Sequence, residues 1–138
     1  TAFAAGETDA PRTPPGDLVG PDHRQALERT AEAAGHAWTN ADRSRSCTLP
    51  FGTFTADGAV ALNLVDVLAH TWDVAAPRAI PLDGTDQLWE VGLDSAELVI
   101  GPERDLGYYA PPIPVAPTAS AQERFLANLG RRPSYPTA

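Results

Sequence analysis

The stretch AVALNLVDVLAHTWDVA, residues 59–75, decides the fold of this chain. Its apolar side chains spread over roughly 240° of a helical wheel, whereas a surface helix needs an apolar stripe only somewhat over 100° wide. The pattern therefore predicts one helix that lies in the middle of the fold and contacts more than one neighbour. The apolar residues in question are Val60, Leu64, Val67, Leu68, Trp72 and Val74.

Four polar residues recur within this helix at spacings of three, four and three: Asn63, Asp66, His70 and Asp73. At about 100° per residue they fall within an arc of roughly 80°. Asp66 and His70 are four positions apart, so their side chains are neighbours on the helix surface. We take this polar face as the candidate functional site of the chain.

Three interpretations of the polar face remain open. Asp66 and His70 have the residue types and spacing to bind a divalent metal, with other helices completing the ligand set. Alternatively, His70 acts as a general acid–base catalyst together with Asp66 or Asp73. In the third interpretation the stripe is solvated or structural, and Asp73, close to the helix end, accepts hydrogen bonds from a neighbouring loop.

Composition limits the classes of protein and of partner. A chain of 138 residues with 43% hydrophobic content suggests one domain, residues 1–138, with one core. The net charge of −8 argues against nucleic acid and anionic membranes as partners, because phosphate binding needs a basic surface. A lone cysteine, no secretory signal pattern and no run of 18 apolar residues lead us to expect a cytoplasmic protein without a membrane span.

The region before the central helix contains one helix and a short extended stretch. Asp22 is a typical N-cap, and the pattern after it predicts a helix over residues 23–40. Residues 42–58 are expected to be irregular, with two short β-prone segments at 47–49 and 53–55.

The boundaries of the next two helices follow from cap and breaker residues. Asp57 is expected to cap the central helix and Pro77 to end it. A further helix is predicted over residues 85–100, capped by Thr85 or Asp83 and ended by Gly101-Pro102.

The C-terminal part is predicted to be a proline-rich extended segment followed by a short helix. Prolines exclude regular helix from residues 106–118, where Ile113 and Val115 are candidates to pair with the TLPF stretch, residues 48–51. Ser120 and Glu123 form a capping-box sequence for a helix that Gly130 ends. The predicted fold class is all-α, with an irregular proline-rich extension and room for one short β pair.

Several segments resemble one protein family. VDVLAHTWDVA, residues 65–75, is similar to a segment of actinobacterial proteins related to the metal-binding domain of mycothiol-dependent maleylpyruvate isomerase, in the DinB-like superfamily. The resemblance extends to TLPFGTFTADGAVAL, residues 48–62, and to PPIPVAPTASAQERFLANLGRRP, residues 111–133. TAFAA, residues 1–5, resembles the end of the family's second helix.

The resemblance implies an up-and-down helical bundle that holds a divalent, zinc-like metal and performs thiol-dependent isomerisation or transfer with mycothiol. The family's ligands are one His from its second helix and a carboxylate and His on its fourth, and the latter pair matches Asp66 and His70. The first helix and nearly all of the second, including its ligand His, have no counterpart here. We therefore expect a partial bundle, uncovered on the Trp72 side, that a homodimer or partner subunit completes.

Three functional hypotheses follow from the sequence. The first is a metal-assisted, mycothiol-dependent isomerase or transferase acting on a small molecule, with Asp66 and His70 as metal ligands. The second is a metal-free tailoring enzyme in which His70 and Asp66 or Asp73 perform acid–base catalysis. The third is a non-catalytic binding or assembly subunit.

Overall fold

The computed structural model describes residues 16–17, 19–49, 52–82, 84–105 and 107–133. The chain divides into two compact units, Thr1–Val60 and Ala61–Ala138. It is mostly helical, which confirms the all-α class, whereas the DinB-like bundle and the single domain stay predictions. Residues 1–5, Asp83 and the Cys47 side chain lie outside the described residues.

In the first unit, helix α1 spans His23–Thr39 and begins where the sequence predicts. A side-chain oxygen of Asp22 accepts a hydrogen bond from the Gln25 N–H at 2.9 Å, which confirms Asp22 as the N-cap. At the other end, the Asn40 N–H donates to the carbonyl oxygen of His36.

A β-hairpin follows α1 in the first unit. Strand β1, Ser46–Leu49, pairs antiparallel with strand β2, Gly52–Thr55. Phe54 on β2 packs with Trp38 against the buried residues Ala56 and Ala59. Ile113 and Val115 lie outside any strand in the described residues, so the prediction that they pair with residues 48–49 was wrong; β1 pairs instead with β2, which is adjacent in sequence.

Helix α2 spans Ala56–Ala75 and begins earlier than predicted. Thr55 Oγ1 accepts a hydrogen bond from the Gly58 N–H at 3.1 Å. Asp57 is therefore not the N-cap; it lies in the first turn and forms an ion pair with Arg43 at 2.9 Å. Pro77 ends the helix as predicted, since only a 3₁₀ turn, Ala76–Arg78, continues beyond Ala75.

Only part of the circumference of α2 is buried. Val67 and Val74 are 53% and 61% exposed, so the buried arc is narrower than the apolar arc of roughly 240° that the sequence shows, although the helix contacts residues of more than one neighbouring helix. Trp72, expected on the uncovered side, is 9% exposed and belongs to the core. The number of apolar residues in the helix does not show which of its faces pack against another element. The buried residues of α2 in the second unit are Ala61, Leu62, Val65, Leu68, Ala69, Trp72 and Ala75.

By length and composition, the segment Ala56–Arg78 would suffice to cross a bilayer. The core helix of a soluble protein meets the same criterion, so the absence of a membrane span stays a prediction.

Helix α3, Asp86–Asp105, is longer than predicted. Thr85 Oγ1 accepts from the Leu88 N–H at 3.3 Å and caps the helix as predicted. The helix does not end at Gly101-Pro102, because the Arg104 guanidinium donates to the carbonyl oxygen of Asn128 at 2.9 Å and anchors the last turn. This contact spans 24 positions and is invisible in the local sequence.

Phe125 lies at the centre of the second unit. Its side chain is fully buried, and its ring lies 5.6 Å from the ring of Trp89, centroid to centroid. Gly92 allows α3 to approach closely, since a Cβ atom there would lie 2.7 Å from Leu68 Cδ1 and 3.4 Å from the Phe125 ring. Residues of α2, α3 and the final helix therefore meet around one aromatic side chain.

The final helix, α4, spans Ala121–Asn128. Ser120 Oγ accepts from the Glu123 N–H at 3.2 Å, and the Glu123 carboxylate accepts from the Ser120 N–H at 2.7 Å. This is the predicted capping box. Ile113, outside any strand, donates its N–H to the carbonyl oxygen of Ala127 in this helix.

The turn after α4 depends on Gly130. Its φ is +74°, in the left-handed region that favours glycine, as predicted for the residue that ends this helix. The Gly130 N–H donates to the carbonyl oxygen of Ala127, and the Arg131 N–H donates to that of Leu126. A Cβ atom at Gly130 would lie 2.6 Å from the Cβ of Ala110. This turn fixes the direction in which Arg131 leaves the helix.

We expect Ser120→Ala to lower the free energy of unfolding by about 1 kcal/mol, because the Glu123 N–H loses its acceptor. Hydrogen bonds from the Ser120 N–H and, second, from the Ser120 hydroxyl hold the pKa of Glu123 below its ordinary 4.5, and the variant loses the hydroxyl donor. The resulting stability is therefore present above pH 4.5 and lost as the pH falls through the lower folded pKa. Urea titrations between pH 3 and 7 should show that the free energy of unfolding falls less steeply with decreasing pH in the variant than in the parent chain. The same pH dependence in both proteins would contradict this prediction.

Candidate functional site

Helix α2 brings three of the predicted polar residues into one cluster of side-chain contacts in the second unit. His70 Nε2 lies 3.3 Å from Asp66 Oδ1, and His70 Nδ1 lies 3.0 Å from Asp73 Oδ2. Asn63, one turn earlier, is exposed and lies outside this chain of contacts. The i+3 and i+4 spacings thus place both nitrogens of one imidazole between two carboxylates.

Arg131 completes the cluster from the turn after α4. Its Nε donates to Asp73 Oδ1 at 2.9 Å and its Nη2 donates to Asp73 Oδ2 at 2.8 Å, a bidentate pair. The Arg131 side chain is 21% exposed and that of Asp73 is 35% exposed. Asp73 therefore accepts from a loop, as the structural interpretation of this residue predicts.

The ion pair fixes the charge of Asp73. The hydrogen bonds from Arg131 hold the pKa of Asp73 below its ordinary value of 3.8; burial opposes this shift, and His70 adds to it. The same pair raises the pKa of Arg131. Asp73 is consequently a fixed, ionised acceptor at neutral pH.

An ionised Asp73 selects the tautomer of neutral His70. The carboxylate can only accept, so Nδ1 carries the hydrogen and donates it to Asp73. The lone pair of Nε2 then faces Asp66 Oδ1 at 3.3 Å. Two electron-pair donors at this distance are attractive only with a cation between them, either a proton or a metal ion.

The distance also matches what a metal ion requires. Ligand bonds of about 2.0–2.2 Å in a tetrahedral site place neighbouring ligand atoms roughly 3.4 Å apart. His70 and Asp66 side chains are 64% and 62% exposed, so an ion can reach them. Asp73 contacts the other nitrogen of the same imidazole, the position from which carboxylates orient histidines in known metal sites.

Within the described ranges, no group of three or more His, Cys, Asp or Glu side chains is arranged to hold a metal ion. Asp66 and His70 alone would therefore offer a metal ion two ligands, and we refer to this pair as the half-site. Structural zinc sites have four ligands and catalytic zinc sites have three protein ligands. The spacing and orientation of Asp66 and His70 suit a metal ion, but the pair provides fewer ligands than a zinc site needs.

The half-site borders an open groove of about 540 Å³. Its volume lies within the range of small-molecule sites, roughly 300–1,000 Å³. The walls are mostly apolar, and the polar lining residues are Asp66, His70 and Thr71. The lining residues are Asp66, Val67, His70, Thr71, Val74, Ala75 and Ile80.

Sequence reasoning did not identify Arg131 as part of the site. Asp73 and Arg131 are 58 positions apart, and no periodicity connects them. The available signal was local: Gly130 predicts a sharp turn directly before an arginine, but not what that arginine contacts.

No protein-family model, curated protein or solved structure matches this chain. The resemblance to the mycothiol-dependent maleylpyruvate isomerase family therefore stays a prediction, and the site rests on the geometry given above.

Proposed function

We propose that this chain is a metal-assisted enzyme that acts on a small molecule with a thiol cofactor such as mycothiol, as an isomerase or transferase. Asp66 and His70 supply two ligands to a divalent, zinc-like ion, and a second copy or a partner subunit supplies the others. The observation that carries the proposal is the 3.3 Å separation of Asp66 Oδ1 and His70 Nε2, with Nδ1 held by Asp73.

Each residue of the cluster has a separate role in this proposal. Asp66 and His70 bind, while Asp73 and Arg131 hold the imidazole so that Nε2 points at the ion. When bound, such an ion lowers the pKa of a thiol or water and yields a nucleophile at neutral pH. Val67, Val74 and Ile80 give the adjoining groove apolar walls suited to the carbon skeleton of a small substrate.

The thiol cofactor is supported by the family resemblance of the VDVLAHTWDVA segment, residues 65–75. The geometry is compatible with this choice, since thiolate is a preferred ligand of zinc-like ions and the half-site is open on the groove side.

A second candidate, metal-free acid–base catalysis, is favoured by the Asp73–His70 contact. A carboxylate on Nδ1 that fixes the tautomer is how a general-base histidine is oriented. His70 Nε2 would exchange a proton with a substrate in the groove, and Asp66 would hold that proton. The two candidates differ in one measurable respect, the need for a metal ion.

Metal titration tests the proposal. Isothermal titration of Zn²⁺ and Ni²⁺ into chelator-treated full chain should give saturable binding and a rise in melting temperature. Asp66→Asn should weaken that binding by about 10–100-fold or more, because an amide replaces an anionic ligand. Asp94→Asn is the matched control, an exposed aspartate on α3 of the same unit.

Two outcomes would contradict the metal proposal. One is the absence of both heat and thermal shift with either ion. The other is equal affinity in Asp66→Asn and the control. A reaction that survives chelators but is lost in His70→Ala would favour the acid–base candidate instead.

A further inference from the structure

Among the described residues, all but one of those that line the groove belong to helix α2. The exception is Ile80, which follows the 3₁₀ turn and is 52% exposed. Side chains on one helix point away from a common axis, so the helix alone gives a ligand one wall. Ile80 therefore supplies the part of the groove wall that α2 does not provide.

Backbone hydrogen bonds hold Ile80 against the end of α2. Its N–H donates to the carbonyl oxygen of Ala75 at 3.2 Å, and the Ala79 N–H donates to that of Ala76 at 3.0 Å. The φ of Ala79 is +51°, in the left-handed region. This is the Schellman arrangement, in which the residue after the left-handed one commonly contacts apolar residues of the last helical turn. In agreement with it, Val74, Ala75 and Ile80 line the same groove.

The character of the groove changes along α2. The lining residues up to Thr71 include the half-site and all the polar ones, whereas those beyond Thr71 are all apolar. His70 and Ala75 are five residues apart, about 7.5 Å along the helix axis. A short alkyl chain can therefore reach from the half-site to this far part of the groove. We call its lining residues, Val74, Ala75 and Ile80, the apolar end.

The apolar end offers no partner to a charged group. Arg78 is close to it in sequence, but its Nη1 donates to the carbonyl oxygen of Val74 at 2.9 Å, and Arg78 is not among the described residues that line the groove. Burying apolar surface is favourable, whereas removing a carboxylate or ammonium group from water without a partner is costly. The apolar end therefore favours an uncharged group over a charged one.

We propose that the apolar end binds an uncharged, apolar substituent of the substrate and that Ile80 is the specificity-determining residue there. The inference rests on the proposed function, because it takes the groove as the substrate site and the half-site as the position of the reacting group. It adds a substrate class: molecules in which a short apolar tail without a terminal charge extends from the reacting group.

The affinities of two thiols for the zinc-loaded full chain test the proposal. Butanethiol has an uncharged tail, and mercaptobutyrate carries a carboxylate at the end of a chain with the same number of carbons. The parent chain should bind butanethiol at least about tenfold more tightly, because the carboxylate finds no partner. Ile80→Arg should reduce this preference to within about threefold, since a guanidinium pairs with a carboxylate. Leu98→Arg, which adds the same charge at a 68% exposed position on α3, is the matched control and should keep the preference of the parent chain.

Methyl NMR of labelled isoleucine locates the bound tail. The chain has three isoleucines, Ile80, Ile100 and Ile113. The Ile80 signal should shift on addition of butanethiol, whereas the signals of the buried Ile100 and of Ile113 should stay in place. Butanol, which has the same tail and no thiol, should shift the Ile80 signal of the metal-free chain at higher concentration. An unchanged Ile100 signal in Ile80→Arg checks that the variant is folded.

The outcomes separate this inference from the proposed function. Equal affinity for both thiols in the parent chain, or the same preference in Ile80→Arg as in Leu98→Arg, would overturn the role of Ile80 and leave the metal site standing. Binding of butanethiol without a shift of the Ile80 signal would do the same. If neither thiol binds to the zinc-loaded chain, the proposed function fails. The butanol titration then decides the inference: a shift confined to Ile80 supports the apolar end, and no shift overturns it.

Discussion

Replacing His70 by alanine is expected to weaken zinc binding by at least about 100-fold, roughly 2.7 kcal/mol of binding free energy. In the proposed metal site the imidazole is one of the two ligands that the described residues would supply, and the contact of Nδ1 with Asp73 orients its Nε2. Loss of a residue that merely orients a ligand already costs 10–100-fold, so loss of the ligand costs more. Isothermal titration on chelator-treated protein measures the change.

His36→Ala is the matched control for this experiment, since His36 is an exposed histidine on α1. It should bind zinc as the parent chain does. Equal loss in both variants would indicate non-specific histidine binding at the surface, and full retention in His70→Ala would exclude His70 as a ligand. His70→Ala should leave the free energy of unfolding nearly unchanged without metal, because the side chain is 64% exposed.

Replacing Phe125 by alanine should lower the free energy of unfolding by about 3–5 kcal/mol. The side chain is fully buried, it contacts the ring of Trp89, and it lies against the close approach at Gly92. Removing it leaves a cavity at the point where the helices of the second unit meet. Urea denaturation followed by tryptophan fluorescence measures the loss, with Trp89 as a reporter beside the cavity.

Tyr108→Ala provides the control for aromatic truncation, because Tyr108 is 66% exposed. It should cost less than about 0.5 kcal/mol, as surface substitutions usually do. A loss below about 1 kcal/mol in Phe125→Ala would mean that Phe125 does not anchor the packing of α4. Phe125→Ala should also weaken the proposed zinc binding, because α4 positions Arg131 and Arg131 holds Asp73.

The sequence was most informative where the cause of a structure is local. Asp22, Ser120 with Glu123, and Gly130 act on backbone groups within three to five residues, so their side-chain chemistry alone fixed helix ends correctly. Local signals misled at Gly101-Pro102, where a hydrogen bond from Arg104 to Asn128 sustains the helix from outside it. Asp57 was misassigned because Thr55, two residues earlier, competes for the same capping role.

The same distinction between local and distant contacts applies to the candidate site. Asp66, His70 and Asp73 share one helix, and helical spacing placed them in contact correctly. Arg131 could not be found, because its contact depends on the path of the chain across 58 positions. The exposure of Val67 and Val74 was also missed, because a single sequence does not show how many neighbours a helix has.

The distance along the chain between Asp73 and Arg131 has a consequence for biosynthesis. At roughly 5–20 residues per second, translation of the 58 positions takes about 3–12 s. Asp66 and His70 meet as soon as α2 forms, an event of about a microsecond. A nascent chain can therefore hold Asp66 and His70 in contact for seconds before Arg131, which binds Asp73, has been translated. The contact that fixes Asp73, and through Asp73 the His70 imidazole, therefore forms later in synthesis than the contacts within α2.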